Sequence, residues 1–231
     1  GRRSWESPEL TGLGLLPPRA TLSPFPTARL AATLDRTRSP WVRSLDGPWE
    51  FRLVERPEAA PAAADRRTGW RTVDVPSLWT MLGDERPQYT NVVMPFDTSP
   101  PAVPERNPTG IYRRTFAKPR GWSGRRIVLG FGGVEGALYV LVNGEPVGIS
   151  KDARTPAEFD VTELVRARGQ NEVVAVVTRW SDASFVEDQD QWWHAGLSRA
   201  VYVRALGDVE DVFARAGADG SLVVDAPGGK R

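Results

Sequence analysis

The sequence predicts an all-β fold, an antiparallel β-sandwich, and three observations support this prediction. The segment SLDGPWEFRLV (44–54) turns at Asp46-Gly47 and then alternates apolar and polar residues, which is the period of a half-buried strand. Asn143-Gly144 separates two strand-like runs, as in a tight hairpin turn. Further strand candidates are GIYRRTFAKP, RRIVLGFGGV, NEVVAVVTRW and RAVYVRA. Short strands without helices between them favour a sandwich or jelly roll over a parallel α/β sheet.

The segments before and after this body differ from it. Residues 1–40 contain six prolines and little alternation, so we expect an extended N-terminal arm with at most a short helical piece near TARLAATL. Residues 41–206 form the predicted sandwich. Residues 207–231 contain two strand-like runs around a Gly-Ala-Asp-Gly turn, and we expect them to be the truncated start of a second domain.

Within the body, TPAEFDVTELVRAR (155–168) contains the only capped helical turn that the pattern predicts, with Asp160 or Thr162 as the capping residue. Asn171-Glu172 follows a Gly-Gln turn and opens an apolar run, so we interpret it as the start of a strand.

Two long stretches interrupt the strand pattern. Residues 76–109 contain seven prolines and little alternation, and residues 181–198 contain the acidic segment SFVEDQDQWW. Loops of this length in a compact domain are usually functional or form an interface. We therefore expect the functional residues to lie on these two loops.

Composition excludes several classes of function. The formal net charge is +1, from 30 basic and 29 acidic residues, so no general field attracts nucleic acid or an anionic membrane. The chain has no cysteine and one histidine, which excludes thiolate and histidine-rich metal sites. No apolar run has membrane-spanning length, and we expect no signal peptide and a cytoplasmic protein. The chain begins with Gly rather than Met, so we expect the native N-terminus to lie upstream.

The acidic segment allows three interpretations. Glu187, Asp188 and Asp190 could form a solvated turn, and nothing nearby in the sequence neutralises them. Glu187 and Asp190 could also have the carboxylate spacing of a glycosidase. Three acids within four residues better suit cation coordination or recognition of sugar hydroxyls. A catalytic triad would have to use His194, and no G-x-S-x-G motif accompanies it.

Several stretches in the same order resemble one family. They are RRSWESP, RSLDGPWEF, VDVPSLW, YTNVVMPF, PPAVPERNPTGIYRRTF, LYVLVNGEPVGISKDARTPAEFDVTELV and RWSDASFVEDQDQWWHAGLSR. Together they cover nearly the whole chain, which resembles the N-terminal part of a β-galactosidase of glycoside hydrolase family 2. The resemblance implies a jelly-roll (galactose-binding-like) sugar-binding domain, followed by an immunoglobulin-like domain that begins within residues 207–231 and then a catalytic (β/α)₈ barrel.

A barrel of about 250 residues does not fit into a chain already occupied by a sandwich. We therefore expect no catalytic residue in this fragment and no hydrolysis by it alone. The implied partners are a β-galactoside substrate such as lactose, the downstream domains of the same enzyme, and further copies of the whole enzyme in a homo-oligomer.

The resemblance also implies roles for residues on both loops. Asn91 matches the asparagine that hydrogen-bonds the galactosyl group, and Val92 beside it would line the outer sugar subsite. Asp190 matches an aspartate that contacts the sugar and ligates a sodium ion shared with the barrel. A hard monovalent cation prefers such oxygen ligands. Glu187 and Asp188 are expected to hold the loop's shape by hydrogen bonds, and Trp192 and Trp193 to anchor it.

One metal position departs from the family pattern. Some relatives hold a secondary magnesium ion at positions that here read Ser4, Ser7, Lys151 and Asp182. A lysine ammonium can supply the positive charge itself, so we expect no complete magnesium site in this chain, while the resemblance implies magnesium in the full enzyme.

Two alternatives to the enzyme fragment remain open: a free-standing jelly-roll carbohydrate-binding module, and a structural domain whose acidic loop binds nothing. A β-glucuronidase or a β-mannosidase is the related enzyme for which this chain could most easily be mistaken. The segments NPTGIYRRTF and EDQD argue for a galactosidase.

Overall fold

The computed structural model describes residues 3–64, 68–209 and 211–226. Residues 1–2 of the predicted arm, and residues 210 and 227–231 of the predicted second domain, lie outside the described residues. Within these ranges the chain forms two short α-helices, α1 (Ala28–Ala31) and α2 (Ala60–Ala64). The described strands are β1 (Gly12–Leu13), β2 (Val42–Ser44), β3 (Gly47–Val54), β4 (Arg71–Val75), β5 (Ser77–Leu78), β6 (Gln88–Thr90), β7 (Thr109–Ala117), β8 (Ile127–Phe131), β9 (Ala137–Val142), β10 (Glu145–Ser150), β11 (Ala157–Asp160), β12 (Gln170–Thr178), β13 (Gln191–Trp193), β14 (Gly196–Leu197), β15 (Val201–Ala205), β16 (Phe213–Ala216) and β17 (Leu222–Asp225).

Two antiparallel sheets form the body. The larger has seven strands in the order β1-β10-β9-β12-β7-β3-β4, and the smaller has four in the order β11-β8-β15-β2. The predicted all-β antiparallel sandwich is confirmed, because the inner faces of both sheets contribute to one buried cluster. Its members include Trp49, Phe51, Tyr112, Val140, Val173, Ala175 and Val177 from the larger sheet and Leu129, Phe131, Phe159, Val201 and Val203 from the smaller.

The residue pattern explains the central strands. In β3, Trp49 and Phe51 are buried while Glu50 between them is exposed, which is the alternation that the sequence predicts. Asn143 and Gly144 both have positive φ, 54° and 87°, as a two-residue hairpin between β9 and β10 requires. The predicted hairpin is confirmed.

The N-terminal arm lies along the sandwich and is bonded to it. β1 pairs with β10, and the backbone N–H of Leu16 donates to the carbonyl of Glu158 at 2.8 Å. The predicted short helical piece is α1, which begins after Thr27, whose side chain accepts from the N–H of Leu30. The described residues before β2 are therefore held against the sandwich by backbone hydrogen bonds.

The predicted helical turn at 155–168 is only partly correct. Residues 157–160 form β11, and a single turn follows in which the N–H of Val165 donates to the carbonyl of Val161 at 3.0 Å. Asp160 Oδ1 accepts from the N–H of Thr162 at 3.0 Å, so Asp160 caps this turn. It is not the only capped turn, because Thr27 and Asp35 cap helical turns in the arm. Those two caps lie where the apolar pattern is weak.

The segment after the sandwich forms a separate hairpin. Among the described strands, β16 and β17 pair only with each other, and every residue in both is exposed. That this hairpin opens an immunoglobulin-like domain stays a prediction.

None of the helices in the described ranges is long and apolar enough to cross a bilayer.

Candidate functional site

The two long loops lie against each other through short strand ladders. β5 and β6 belong to the first loop, and they pair with β14 and β13 of the second. Sequence alternation did not reveal these strands, because a strand of two or three residues is too short to show a period. The pairing makes the two loops one structural unit.

The register of one ladder brings the predicted site residues together. Thr90 pairs with Gln191 at the end of the β6–β13 ladder. Asn91 follows Thr90 and Asp190 precedes Gln191, so the two residues lie opposite each other where the antiparallel strands part. Both residues are exposed. Two residues that are 99 positions apart in the chain therefore lie at the same end of one ladder.

Asp190 has a hydrogen-bond donor within the ladder. The hydroxyl of Tyr89 donates to Asp190 Oδ1. This bond to a carboxylate raises the pKa of Tyr89 above its ordinary value, because it stabilises the protonated phenol. The Tyr89 ring also lies 5.6 Å from that of Trp192, its partner across the ladder. Tyr89 thus orients Asp190 and leaves part of the carboxylate available.

Beneath the ladder is a small aromatic core. Trp193 is 4% exposed, and its ring centroid lies 5.4 Å from that of Trp180. Trp193 Nε1 donates to Thr90 Oγ1 at 2.8 Å, which satisfies its polar atom. This core holds both loops on the edge of the sandwich. Its other members are Val103, Trp5, Met94, Phe96 and Phe185.

The two neighbouring tryptophans, Trp192 and Trp193, therefore have different roles. Trp193 anchors the loop, as predicted. Trp192 is 55% exposed, so the prediction that it anchors the loop in the same way is wrong. Strand geometry explains the difference, because consecutive residues of β13 point to opposite faces.

A buried arginine braces the first loop. Arg179 is 5% exposed, and its Nη2 donates to the carbonyl of Arg86 at 3.2 Å and to Gln88 Oε1 at 3.2 Å. Its Nη1 lies 3.7 Å from the Glu85 carboxylate. Burial lowers the pKa of Arg179, and the Glu85 charge opposes that effect. Sequence reasoning missed Arg179, because nothing in RWSD signals that this side chain turns inward.

A cationic side chain, Arg154, lies close to the acidic segment in the folded chain. Arg154 Nε lies 3.0 Å from Glu135 Oε2, and its two terminal nitrogens donate to the Gln191 amide oxygen at 2.9 and 2.8 Å with that amide turned to face them. The Arg154 charge also acts on Glu187 and favours its ionised form. Arg154 lies 33 positions before Glu187 in the chain, so the local sequence around the acids does not show this cation.

The other two acids of the segment, Glu187 and Asp188, differ in their hydrogen bonding. Glu187 Oε1 accepts from the N–H of Ala153 at 2.8 Å, which confirms its predicted role in holding the loop. Burial raises the pKa of Glu187 above its ordinary value. Among the described residues, Asp188 Oδ1 is buried without a hydrogen-bond partner, so the predicted bond is missing at that oxygen.

His194 has a structural contact. Its Nδ1 lies 3.0 Å from Thr80 Oγ1, and burial lowers its pKa. This contact joins the two loops.

The described residues contain no group of three or more His, Cys, Asp or Glu side chains that could hold a metal ion. Asp190 therefore offers a single carboxylate toward a cation. A hard cation such as sodium takes several oxygen ligands, so the Asp190 carboxylate suits one ligand position and does not complete a site by itself.

The site surface is apolar for exposed loops. Val92 is 82% exposed, Val93 66%, Met81 66% and Val186 84%. These residues and Trp192 belong to the same two loops as Asn91 and Asp190. These two loops therefore expose several large apolar side chains beside the polar candidates.

An antiparallel sandwich that presents polar side chains on paired edge loops has the architecture of a binding domain. Residues 42–206 match the family model described as glycosyl hydrolases family 2, sugar binding domain. That match covers well over half of the chain, and the chain belongs to glycoside hydrolase family 2.

Curated relatives agree with this family. The chain is 40% identical over 203 residues to a β-galactosidase of Psychromonas ingrahamii, 42% over 205 residues to one of Erwinia tasmaniensis, and 39% over 222 residues to one of Vibrio cholerae. These alignments cover 86%, 87% and 92% of this chain but 19%, 20% and 21% of the relatives. The chain thus spans about a fifth of their length.

Solved structures support the fold. A β-glucuronidase of Faecalibacterium prausnitzii aligns with a TM-score of 0.58 at 21% identity, over 81% of this chain and 36% of that one. A β-glucuronidase of Ruminococcus gnavus in complex with D-glucaro-d-lactam aligns at 0.59 and 17% identity, over 82% and 35%. At such low identity the likeness concerns the fold alone.

Proposed function

We propose that this chain is the sugar-binding N-terminal region of a β-galactosidase and that its paired loops form one wall of the galactosyl subsite. The β6–β13 ladder supports the proposal most directly, since Asn91 and Asp190 adjoin the two strands at the same end of it. Asn91 would bind a sugar hydroxyl, Val92 would contact the outer sugar, and Asp190 would accept from a hydroxyl and contribute one ligand to a sodium ion.

The geometry fits a wall better than a complete pocket. Asn91, Val92 and Asp190 are all exposed, whereas a small-ligand site buries most of its ligand. The apolar side chains on the same loops would face the catalytic domain. Bond cleavage would then belong to carboxylates outside this chain, while these residues orient the sugar.

Calorimetric titration of the isolated chain with lactose tests the incomplete pocket. We expect no measurable heat of binding at millimolar sugar, because one wall buries too little of the ligand. Binding at millimolar or tighter affinity would contradict this and favour a free-standing carbohydrate-binding module.

A hybrid enzyme tests the role of the site. This chain would replace the matching segment of the Erwinia tasmaniensis β-galactosidase, to which it is 42% identical, and hydrolysis of chromogenic β-galactosides and β-glucuronides would be measured. We expect activity on the galactoside. Asn91→Ala and Asp190→Asn should each lower kcat/KM by roughly 10- to 100-fold, as expected when a buried hydrogen bond to the substrate is lost.

Matched controls use exposed residues away from the loops. Gln170→Ala, at the start of β12, and Glu163→Gln, in the turn after β11, should leave kcat/KM unchanged. Equal losses in the controls, or wild-type kcat/KM in both site variants, would contradict the proposal. A preference for the glucuronide would reassign the substrate.

Homo-oligomeric assembly and a cytoplasmic location stay predictions.

A further inference from the structure

The side chain of Lys151 is buried where three distant segments meet. Lys151 follows β10 and is 3% exposed. Its Nζ donates to the carbonyl of Ser7 at 2.8 Å, to the carbonyl of Ser4 at 3.2 Å and to Asp182 Oδ1 at 2.6 Å. These three acceptors match the three protons of an ammonium group. We call this arrangement the Lys151 clamp.

The three oxygens form a set that also suits a hard cation. Two are neutral carbonyls and one is a carboxylate, and all converge on one point. Magnesium prefers such oxygen ligands. The magnesium ion that the family resemblance implies does not fit, however, because the Lys151 ammonium lies at the convergence point and would repel it.

The clamp connects the arm to the site loop. Ser4 and Ser7 belong to the arm, and Asp182 begins the short helical turn Asp182–Phe185 at the base of the loop that leads to Asp190. The chain beyond Lys151 makes a second contact with this loop, where the N–H of Ala153 donates to Glu187. The clamp therefore fixes the start of the loop, and the β6–β13 ladder holds the part that follows Asp190.

We propose that Lys151 is an internal cation that replaces a structural metal ion, so that the arm and the site loop are held together without divalent metal. Lys151 is a positioning residue in this proposal, because it acts on Asp190 through the loop. The proposal does not depend on the sugar that the site binds.

Thermal unfolding with and without metal tests the proposal. We expect the Tm of the wild-type chain to be the same in EDTA and in millimolar MgCl₂. Lys151→Met removes the charge from a buried pair and should lower the Tm by roughly 5–15 °C. The amides of residues 3–9 should also exchange faster with deuterium. Lys118→Met, at a lysine outside the clamp, is the matched control and should leave both unchanged.

A second variant distinguishes a cation site from simple packing. Lys151→Gln replaces the ammonium with an amide that carries an oxygen ligand, and a cleft of about 670 Å³ beside Lys151 and Asp182 gives ions access. MgCl₂ should recover part of the lost Tm in Lys151→Gln and none in Lys151→Met. Failure of magnesium to act on Lys151→Gln would overturn the view that the three oxygens form a cation site.

If the variants do not fold, manganese binding to the wild-type chain tests whether Lys151 replaces a structural metal ion. Electron paramagnetic resonance of Mn²⁺ titrated into wild type should show free ion only. Stoichiometric binding of Mn²⁺, a wild-type Tm that falls in EDTA, or a wild-type Tm for Lys151→Met would overturn the proposal.

Discussion

Trp193 Nε1 donates a hydrogen bond to Thr90 Oγ1 at 2.8 Å, and this bond joins the two loops that present the candidate site. The indole is buried against Trp180, so one side chain contributes both packing and a cross-ladder hydrogen bond. Asn91 and Asp190 flank this ladder, and their relative position depends on it.

Trp193→Ala should destabilise the chain by about 3–5 kcal/mol, because it leaves a large cavity in the small aromatic core. Trp192→Ala is the matched control: Trp192 is the preceding residue but 55% exposed, and we expect a loss of about 1 kcal/mol or less. Urea unfolding followed by far-UV circular dichroism measures both. Similar losses in the two variants would contradict the division of the pair into buried and exposed members.

Tyr89 should titrate above the ordinary tyrosine pKa, because its hydroxyl donates to Asp190. In Asp190→Asn the carboxylate charge is removed, and the pKa of Tyr89 should return toward about 10. NMR titration of ¹³C-labelled tyrosine measures this. The chain has four tyrosines, and burial raises the pKa of Tyr202 to about 12, so its signal serves as an internal control. A Tyr89 pKa that is the same in both proteins would show that the bond does not persist in solution.

Glu187→Gln should have a pH-dependent effect on stability. Burial raises the pKa of Glu187 in the folded state, so the folded protein binds more protons than the unfolded one between the two pKa values. This group's contribution is therefore fully favourable below the unfolded pKa, near 4.5, and declines as pH rises through the folded pKa. The glutamine keeps an acceptor for the N–H of Ala153 and carries no charge.

The stability of Glu187→Gln relative to wild type should accordingly be higher at about pH 7 than at about pH 4. Urea unfolding of both proteins at the two pH values measures the difference. Glu163→Gln, at an exposed carboxyl, is the control and should show no such trend. A relative stability that rises toward acid pH would contradict the burial of Glu187.

Glu158 links the arm to the smaller sheet. Its carboxylate lies 3.0 Å from Arg19 Nη2 and 2.6 Å from Arg204 Nη2, and it accepts from the Tyr202 hydroxyl at 2.9 Å. Glu158→Gln should cost about 3–5 kcal/mol, because it leaves buried guanidinium charge without its partner. We also expect faster proteolysis of the arm at residues 17–25.

The control for Glu158 is Glu50→Gln, which removes a partner of Arg113 at a carboxylate that is 53% exposed. Its cost should be about 1 kcal/mol or less, because solvent screens such a pair. Chemical denaturation and limited proteolysis measure both variants. Equal costs would show that Glu158 does not carry a buried network.

Local pattern accounts for most of the fold that could be predicted. Trp49 and Phe51 alternate with exposed residues, and Asn143-Gly144 forms the turn for which these residue types are suited. Both features depend on neighbours in the chain. The turn after β11 is harder to predict, because one turn of helix carries little periodicity, and the short strands of the loops carry none.

For the candidate site too, some features follow from local residue pattern and others do not. Residue pattern was enough to predict the sandwich, the hairpin and the two loops on which Asn91 and Asp190 lie. It could not show that these loops pair in register, that Arg154 lies near the acidic cluster, or that the Lys151 ammonium joins the arm to Asp182. Periodicity and turn preference arise from adjacent residues, whereas these contacts join residues tens of positions apart and exist only because the whole chain packs as it does.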